Sequence, residues 1–323
     1  MFLRKKPEAR RVFVLGAGFS HHFSKCQYPL SKTLLEAFVA KYKSDYENKL
    51  VGFASEDLEK SLTFLALSLT SSESETLKRR FCTFSREHLL TTPPQNIENN
   101  ALSEIQRIFR PLDIIISFNY DIFVERLLWK AGLWSPKGGY GLDGNPSSWL
   151  IDKVSERLPK VENNISLIKP HGSLNFINKT PIDSSTKDLE IVVSDNYFPE
   201  CRSNMGEISS EDAYVIVPDY LKDYGNRRSM IHFWHDAFSA IQQAENLVIF
   251  GYSLPESDTL AKVMFSFLTR KLGRKLKLFV INKTADEANY VGERIYDLAM
   301  CGPNDLDKCF MSSNSAWLAK LNH

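Results

Sequence analysis

Val12-Phe-Val-Leu15 followed by Gly16-Ala-Gly18-Phe-Ser20 (VFVLGAGFS, residues 12–20) decides the fold. The four apolar residues read as a short buried strand, and the glycines follow it at once. Glycines directly after a buried strand let the backbone approach a pyrophosphate, which the following amides and the Ser20 hydroxyl can hold by hydrogen bonds. A tight strand-to-helix turn is written with the same letters, and the third glycine of GxGxxG is missing. Beyond a loop, Ser31 stands as a candidate N-cap for a helix over residues 32–42, where Leu34, Leu35, Phe38 and Val39 recur at helical spacing. The unit reads strand, glycine turn, loop, helix.

The same alternation continues downstream. Residues 113–118 (DIIISF), 165–169, 246–250 (NLVIF) and 276–281 (LKLFVI) read as apolar strands, with 191–193 and 214–217 as further candidates. Helical patterns occupy 122–131, 228–244, 260–272 and 284–298. The tail beyond Gly302 is turn-rich, with a short last helix near 316–321. Between the first two strands lies a block read as largely helical over 56–90, with Leu58, Leu62, Leu65 and Leu69 on one face and a polar interruption at 71–74. A break at Pro93-Pro94 and a helix over 99–109 follow. Strands alternating with helices predict an α/β fold: a Rossmann-like parallel sheet flanked by helices, with a smaller helical insertion. One domain over 1–323 is expected, its core at 11–45 and 110–300, the insertion at about 56–109 and a C-terminal tail at 301–323.

Composition narrows the function classes. A hydrophobic fraction of 43% and a charged fraction of 24% suit a soluble globular chain of 323 residues. The net charge of +1 supplies no global field, so no direct nucleic-acid or membrane binding is indicated. Arg4, Lys5, Lys6, Arg10 and Arg11 read as a small solvated basic tail. The start lacks a signal-peptide pattern, and no apolar run approaches the roughly 20 residues of a bilayer span, so a cytoplasmic protein is expected. Cys26, Cys82, Cys201, Cys301 and Cys309 are scattered and form no pair of CxxC knuckles; reduced thiols are expected, and no zinc. His232 and His235 lie three apart in a helix, but no carboxylate motif or cysteine pair supports a metal there. Phe233 and Trp234 point instead to a packed helix.

The unusual residues sit just after strand C-termini, where open α/β sheets bind ligands. Asn119 and Asp121 follow the second strand. Helix capping explains one of them, while the pair suits a cleft in which Asn119 positions a ribose or a water. His171-Gly172 follows the next strand, and a histidine there is a candidate general base because imidazole titrates near neutral pH. Gly251 and Ser253 follow another strand, and Asn282 the next. These can line the adenosine half of a dinucleotide, although two ordinary turns carry the same letters. His21 and His22, after the glycine turn, are within reach of phosphates or of solvent alone.

In chain order, Gly16-Ala17-Gly18 with Ser20, Asn119 with Asp121, His171-Gly172, Gly251 with Ser253, and Asn282 resemble the sirtuin-like NAD-binding family. The wording HGS, then GYSLPESD (residues 251–258), looks most like the sirtuin-like domains of bacterial antiviral defence systems. The resemblance spans residues 12–282. It implies that NAD is the substrate and that Asn119, His171 and Asp121 are catalytic, Asp121 reading the nicotinamide amide. It places Gly16, Ala17, Gly18 and Ser20 on the phosphates, and Gly251, Ser253 and Asn282 on the adenosine side.

The chain departs from the deacetylating members in having no four-cysteine zinc module. Phe118 replaces the glutamine before Asn119, and Tyr28-Pro29-Leu30-Ser31 replaces Pro-x-Phe-Arg. These departures favour hydrolysis of NAD to nicotinamide and ADP-ribose over peptide deacylation. A protein deacylase or ADP-ribosyltransferase is the rival enzyme, and a NAD or ADP-ribose sensor or scaffold subunit the non-enzymatic one. A constitutive NAD hydrolase would poison its cell, so gating is expected. The resemblance implies a homo-oligomer or a protein partner such as an ATPase or an Argonaute-like subunit.

Overall fold

The computed structural model describes residues 10–46, 58–91, 97–142, 150–152, 161, 164–178, 189–193, 213–215, 228–268, 276–299, 306–313 and 317. β1 (Arg11–Leu15) runs through Gly16 into α1 (Ala17–Phe23). α2 (Ser31–Tyr46), α3 (Leu58–Ser68), α4 (Ser71–Thr91) and α5 (Asn99–Ile108) precede β2 (Ile114–Ser117). Next come α6 (Phe123–Lys130), the single turn α7 (Pro136–Gly139), β3 (Leu150–Asp152) and β4 (Ser166–Ile168). β5 (Gly172–Asn178), β6 (Leu189–Val193), β7 (Ala213–Val215) and α8 (Arg228–Gln243) follow. β8 (Asn246–Phe250), α9 (Thr259–Ser266), β9 (Leu276–Asn282), α10 (Ala285–Leu298) and β10 (Leu306–Ser312) come last.

Six strands form one sheet in the order β10-β9-β8-β1-β2-β4, every neighbouring pair parallel. β1 and β2 are buried along their whole length, as near-continuous apolar strands inside a covered parallel sheet are. Val12 lies opposite Ile114 on one side and Leu247 on the other, so all three strands end level. From β1 the chain first builds outward through β2 to β4, then returns to β8 and builds the other way. This is the strand order of a doubly wound Rossmann sheet, and the reversal falls between β1 and β8. The expected Rossmann-like parallel sheet flanked by helices is therefore observed.

The structure also departs from the sequence reading. α1 begins at Ala17 with no intervening loop, because the glycine turn packs against the end of β8. Arg11 belongs to β1 rather than to a solvated tail: it is buried and ion-paired with Asp113 at 3.3 Å, and Nη2 donates to the Ile108 carbonyl. Residues 71–74 start a helix rather than interrupt one. Thr70 and Glu73 form a reciprocal capping box there, the Thr70 amide donating to Glu73 Oε2 at 2.9 Å.

A second, mixed sheet in the order β3-β6-β5-β7 joins the strand candidates at 191–193 and 214–217 to β3 and β5, two segments to which the sequence assigns no element. In the tail, β10 extends the main sheet in parallel register with β9. The helix expected near 316–321 falls almost wholly outside the described residues. No helix among the described residues is long and apolar enough to cross a membrane.

Candidate functional site

The glycines hold two turns against each other. The Gly16 amide donates to the Phe250 carbonyl and the Gly18 amide to the Gly251 carbonyl, both at 3.0 Å. A Cβ on Gly16 would stand 2.5 Å from the Gly251 oxygen, and one on Gly18 would stand 2.7 Å from the Gly251 Cα. Gly251 itself has a φ of +62°, the left-handed region that favours glycine. These glycine amides are therefore committed within the fold. What the turn offers a ligand is a floor without side chains.

Beyond β2, Asn119 turns back toward that floor. Its Nδ2 donates to the Gly16 carbonyl and to Ser20 Oγ, both at 3.0 Å. A carbonyl only accepts, so the atom facing Gly16 is the amide nitrogen. Both of its hydrogens are thus engaged, and Oδ1 remains as the acceptor. Ser20 in turn donates to Asp121 Oδ1 at 3.0 Å, and the same oxygen accepts the Phe123 amide at 2.9 Å. Ser20 is 1% exposed, so its hydroxyl ties Asn119 to Asp121 from behind. Burial raises the Asp121 carboxyl above the ordinary range, opposed by the ammonium of Lys169.

His171 lies in the three-residue step between β4 of the main sheet and β5 of the second sheet. Its ring meets Phe118 edge-on at 4.9 Å and Trp234 at 5.9 Å, while Phe118 stacks on Tyr252 at 4.6 Å. Asp258 Oδ1 stands 3.5 Å from His171 Nε2, and Asp258 Oδ2 accepts the Tyr252 hydroxyl at 2.6 Å. Two residues before His171, Lys169 Nζ donates to the Asp121 carbonyl at 2.7 Å and pairs with Glu125 Oε1 at 3.0 Å. Both Lys169 and Glu125 side chains are 0% exposed. The Glu125 carboxyl is raised by burial first, with Lys169 opposing it.

One cleft of about 710 Å³ is lined by Gly16, Ala17, Gly18, Asn119, Asp121, His171, Gly251, Ser253 and Asn282. It opens at the C-terminal ends of the strands, across the β1–β8 reversal. Lys32 and Leu30 stand on the side of α2, and Asp286, Glu287 and Tyr290 on the side of α10. Asn282 Oδ1 accepts the Lys283 amide at 2.9 Å. His21 and His22 are placed elsewhere: His21 Nδ1 bonds the Tyr28 carbonyl at 2.8 Å, and His22 packs on Phe23 and Phe250. Burial lowers the His22 pKa. On α8, Phe233 and Trp234 are buried while His235 is exposed. No cluster of three or more metal-ligating side chains occurs among the described residues.

Sequence reasoning did not single out Tyr252, Asp258, Glu125 or Lys169. Tyr252 and Asp258 were within the quoted GYSLPESD stretch, and an aspartate held with an aromatic after a strand was the available signal. Glu125 and Lys169 gave none, since each reads as a surface charge until the fold buries both.

Fold and cleft together define a doubly wound α/β protein with a cleft at its topological switch point. No family model and no curated protein matches the chain. Among solved structures the chain is similar to a sirtuin described for its substrate affinity, at 12% identity and a TM-score of 0.33, covering 98% of this chain and 92% of that one. It is also similar to Sir2 in complex with the inhibitor EX-527, 2'-O-acetyl-ADP-ribose and a deacetylated p53 peptide, at 11% identity and a TM-score of 0.28, covering 97% and 91%. A third is Sir2 bound to acetylated peptide, at 12% identity and a TM-score of 0.30, covering 98% and 92%. Likenesses of this degree assign neither substrate nor chemistry to the chain.

Proposed function

We propose that the chain is an NAD hydrolase that splits the nicotinamide–ribose bond. The observation that carries this reading is the convergence of Asn119, Asp121 and His171 on one cleft with the glycine floor, Ser253 and Asn282, across the reversal of a Rossmann sheet. Such a crevice is where doubly wound sheets take dinucleotides. The side-chain-free floor admits the pyrophosphate, and Ser253 with the Asn282 amide nitrogen serves the adenosine side. Asp121, with Oδ1 already held by Ser20 and Phe123, takes an amide hydrogen of nicotinamide on Oδ2.

The reaction is NAD+ plus water giving nicotinamide, ADP-ribose and a proton. The C1′–N bond breaks with its electron pair going to the nicotinamide nitrogen, through an oxocarbenium-like state. The Asn119 Oδ1 acceptor orients a water, whose oxygen forms the new bond to C1′. His171 takes the water's proton and later passes it to solvent. The toxicity of unrestrained NAD loss, together with the sequence resemblance, supports a gated effector in antiviral defence, working as an oligomer or with a partner subunit.

Nicotinamide release from NAD by the purified protein tests this, alongside His171→Ala and Asn119→Ala. Each variant is expected to fold and to lose roughly 10²- to 10⁴-fold in turnover, the usual worth of a general base. Wild-type rates in both variants would remove these residues from the chemistry, and NAD binding without any turnover would favour a sensor.

A further inference from the structure

Asp258 occupies the N-cap position of α9, where an aspartate ordinarily accepts a backbone amide of the first turn. Here its side chain makes no capping hydrogen bond. Its carboxylate is instead placed between the His171 ring at 3.5 Å and the Tyr252 hydroxyl at 2.6 Å, and the residue is 2% exposed. A carboxylate so far from water persists only with partners that satisfy its charge. Tyr252 supplies one hydrogen bond and is itself fixed by stacking on Phe118.

We propose that Asp258 is a positioning residue for His171: its carboxylate holds the imidazole and stabilises the imidazolium that forms when His171 takes a proton. A carboxylate paired with an imidazole in this way orients a general base and favours its charged product, as in the hydrolase triads. The aromatic wall of Phe118 and Trp234 lowers the local dielectric, which strengthens the pairing. Catalytic hydrogen bonds often tighten only when substrate binds, and 3.5 Å lies within reach of that. The ionisable side chains lining the cleft with His171 include Tyr120 and Asp121 from the β2–α6 connection and Tyr252 and Asp258 from the β8–α9 connection, with Lys32 on the α2 side and Asp286, Glu287 and Tyr290 on the α10 side. The buried Glu125–Lys169 pair lies beneath them.

The turnover part of this proposal rests on the hydrolase reading, so the test has two arms. In the first, Asp258→Asn keeps an acceptor for Tyr252 and loses the charge. The expected result is a kcat lower by roughly 10²- to 10⁴-fold with KM within about threefold of wild type. Asp258→Glu, which keeps the charge, is expected to recover part of that loss. A kcat within threefold of wild type in Asp258→Asn, or a loss confined to KM, overturns the proposal.

The second arm is independent of turnover. The His171 ring N–H held by Asp258 is expected to give a downfield proton resonance, assigned by its disappearance in His171→Gln. That resonance is expected to move upfield in Asp258→Asn. Its absence from the wild-type spectrum, or its persistence unmoved in Asp258→Asn, overturns the pairing even if NAD proves not to be the substrate.

Discussion

A methyl group on Gly251 would press on the Phe19 amide and on Gly18, in a residue already at a φ of +62°. Gly251→Ala is therefore expected to cost about 1–3 kcal/mol from the backbone conformation alone, with steric strain adding to it. Urea denaturation should show a lower midpoint at unchanged slope; a wild-type midpoint would refute the close approach of the two turns. The residues that mark the cleft were readable because each is chemically out of place after a buried strand: Asn119, Asp121, His171, Gly251. Ser20 was readable as a residue but not in its role. A hydroxyl one turn beyond a glycine suggests a phosphate, and only packing reveals that its hydrogen goes to Asp121.

Asp121 carries its own pH signature. Burial raises its pKa in the fold above the ordinary 3.8. Between 3.8 and the raised value, the unfolded chain has released the proton that the folded chain still holds, so stability falls as pH rises through that window. Asp121→Asn, which still accepts from Ser20 and Phe123, lacks this loss. Wild type should therefore lose stability relative to the variant from about pH 3.8 upward and then run parallel to it. A constant difference across that range would show the carboxyl to be unperturbed.

At the scale of elements, a buried ion pair, Glu125 with Lys169, joins α6 to the β4–β5 step. That pair sets where two cleft-lining segments stand, because Lys169 also holds the Asp121 carbonyl. Lys169→Met leaves the Glu125 charge buried without its cation and is expected to cost about 3–5 kcal/mol. Glu125→Gln combined with Lys169→Met removes both charges and should recover much of that loss. Additive single losses in a denaturation cycle would show the two side chains to be uncoupled.

The elements legible in the sequence were those whose burial is simple. β1, β2, β8 and β9 are near-continuous apolar runs, buried on both faces. β10 escaped because Asp307 and Lys308 are exposed and its pattern is that of an edge. β5 escaped because it opens on Gly172 and carries Ser173 and Asn175 into the interior, where Asn175 meets Tyr140 at 3.3 Å. Polar residues that are satisfied only by tertiary partners erase the apolar periodicity on which a strand assignment depends.

At the scale of the whole molecule, the cleft exists only when distant parts of the chain assemble. Its floor comes from residues near 16 and 251, its polar end from 119–121 and 171, and its far wall from 282–291. A ligand spanning that cleft binds the folded state and not the unfolded one, so it must stabilise the entire cooperative unit by mass action. His171→Ala permits the measurement without consuming the ligand. At 100 times its Kd, NAD is expected to add about 2.7 kcal/mol, which amounts to several degrees in the melting temperature of a domain this large. ADP-ribose should reproduce much of the shift, since it keeps the pyrophosphate and adenosine, and nicotinamide alone should give little. An unchanged melting temperature with NAD at millimolar concentration would sink the dinucleotide reading of the cleft, whatever the chemistry of His171. A shift with NAD that ADP-ribose fails to reproduce would instead place the binding energy at the Asp121 end.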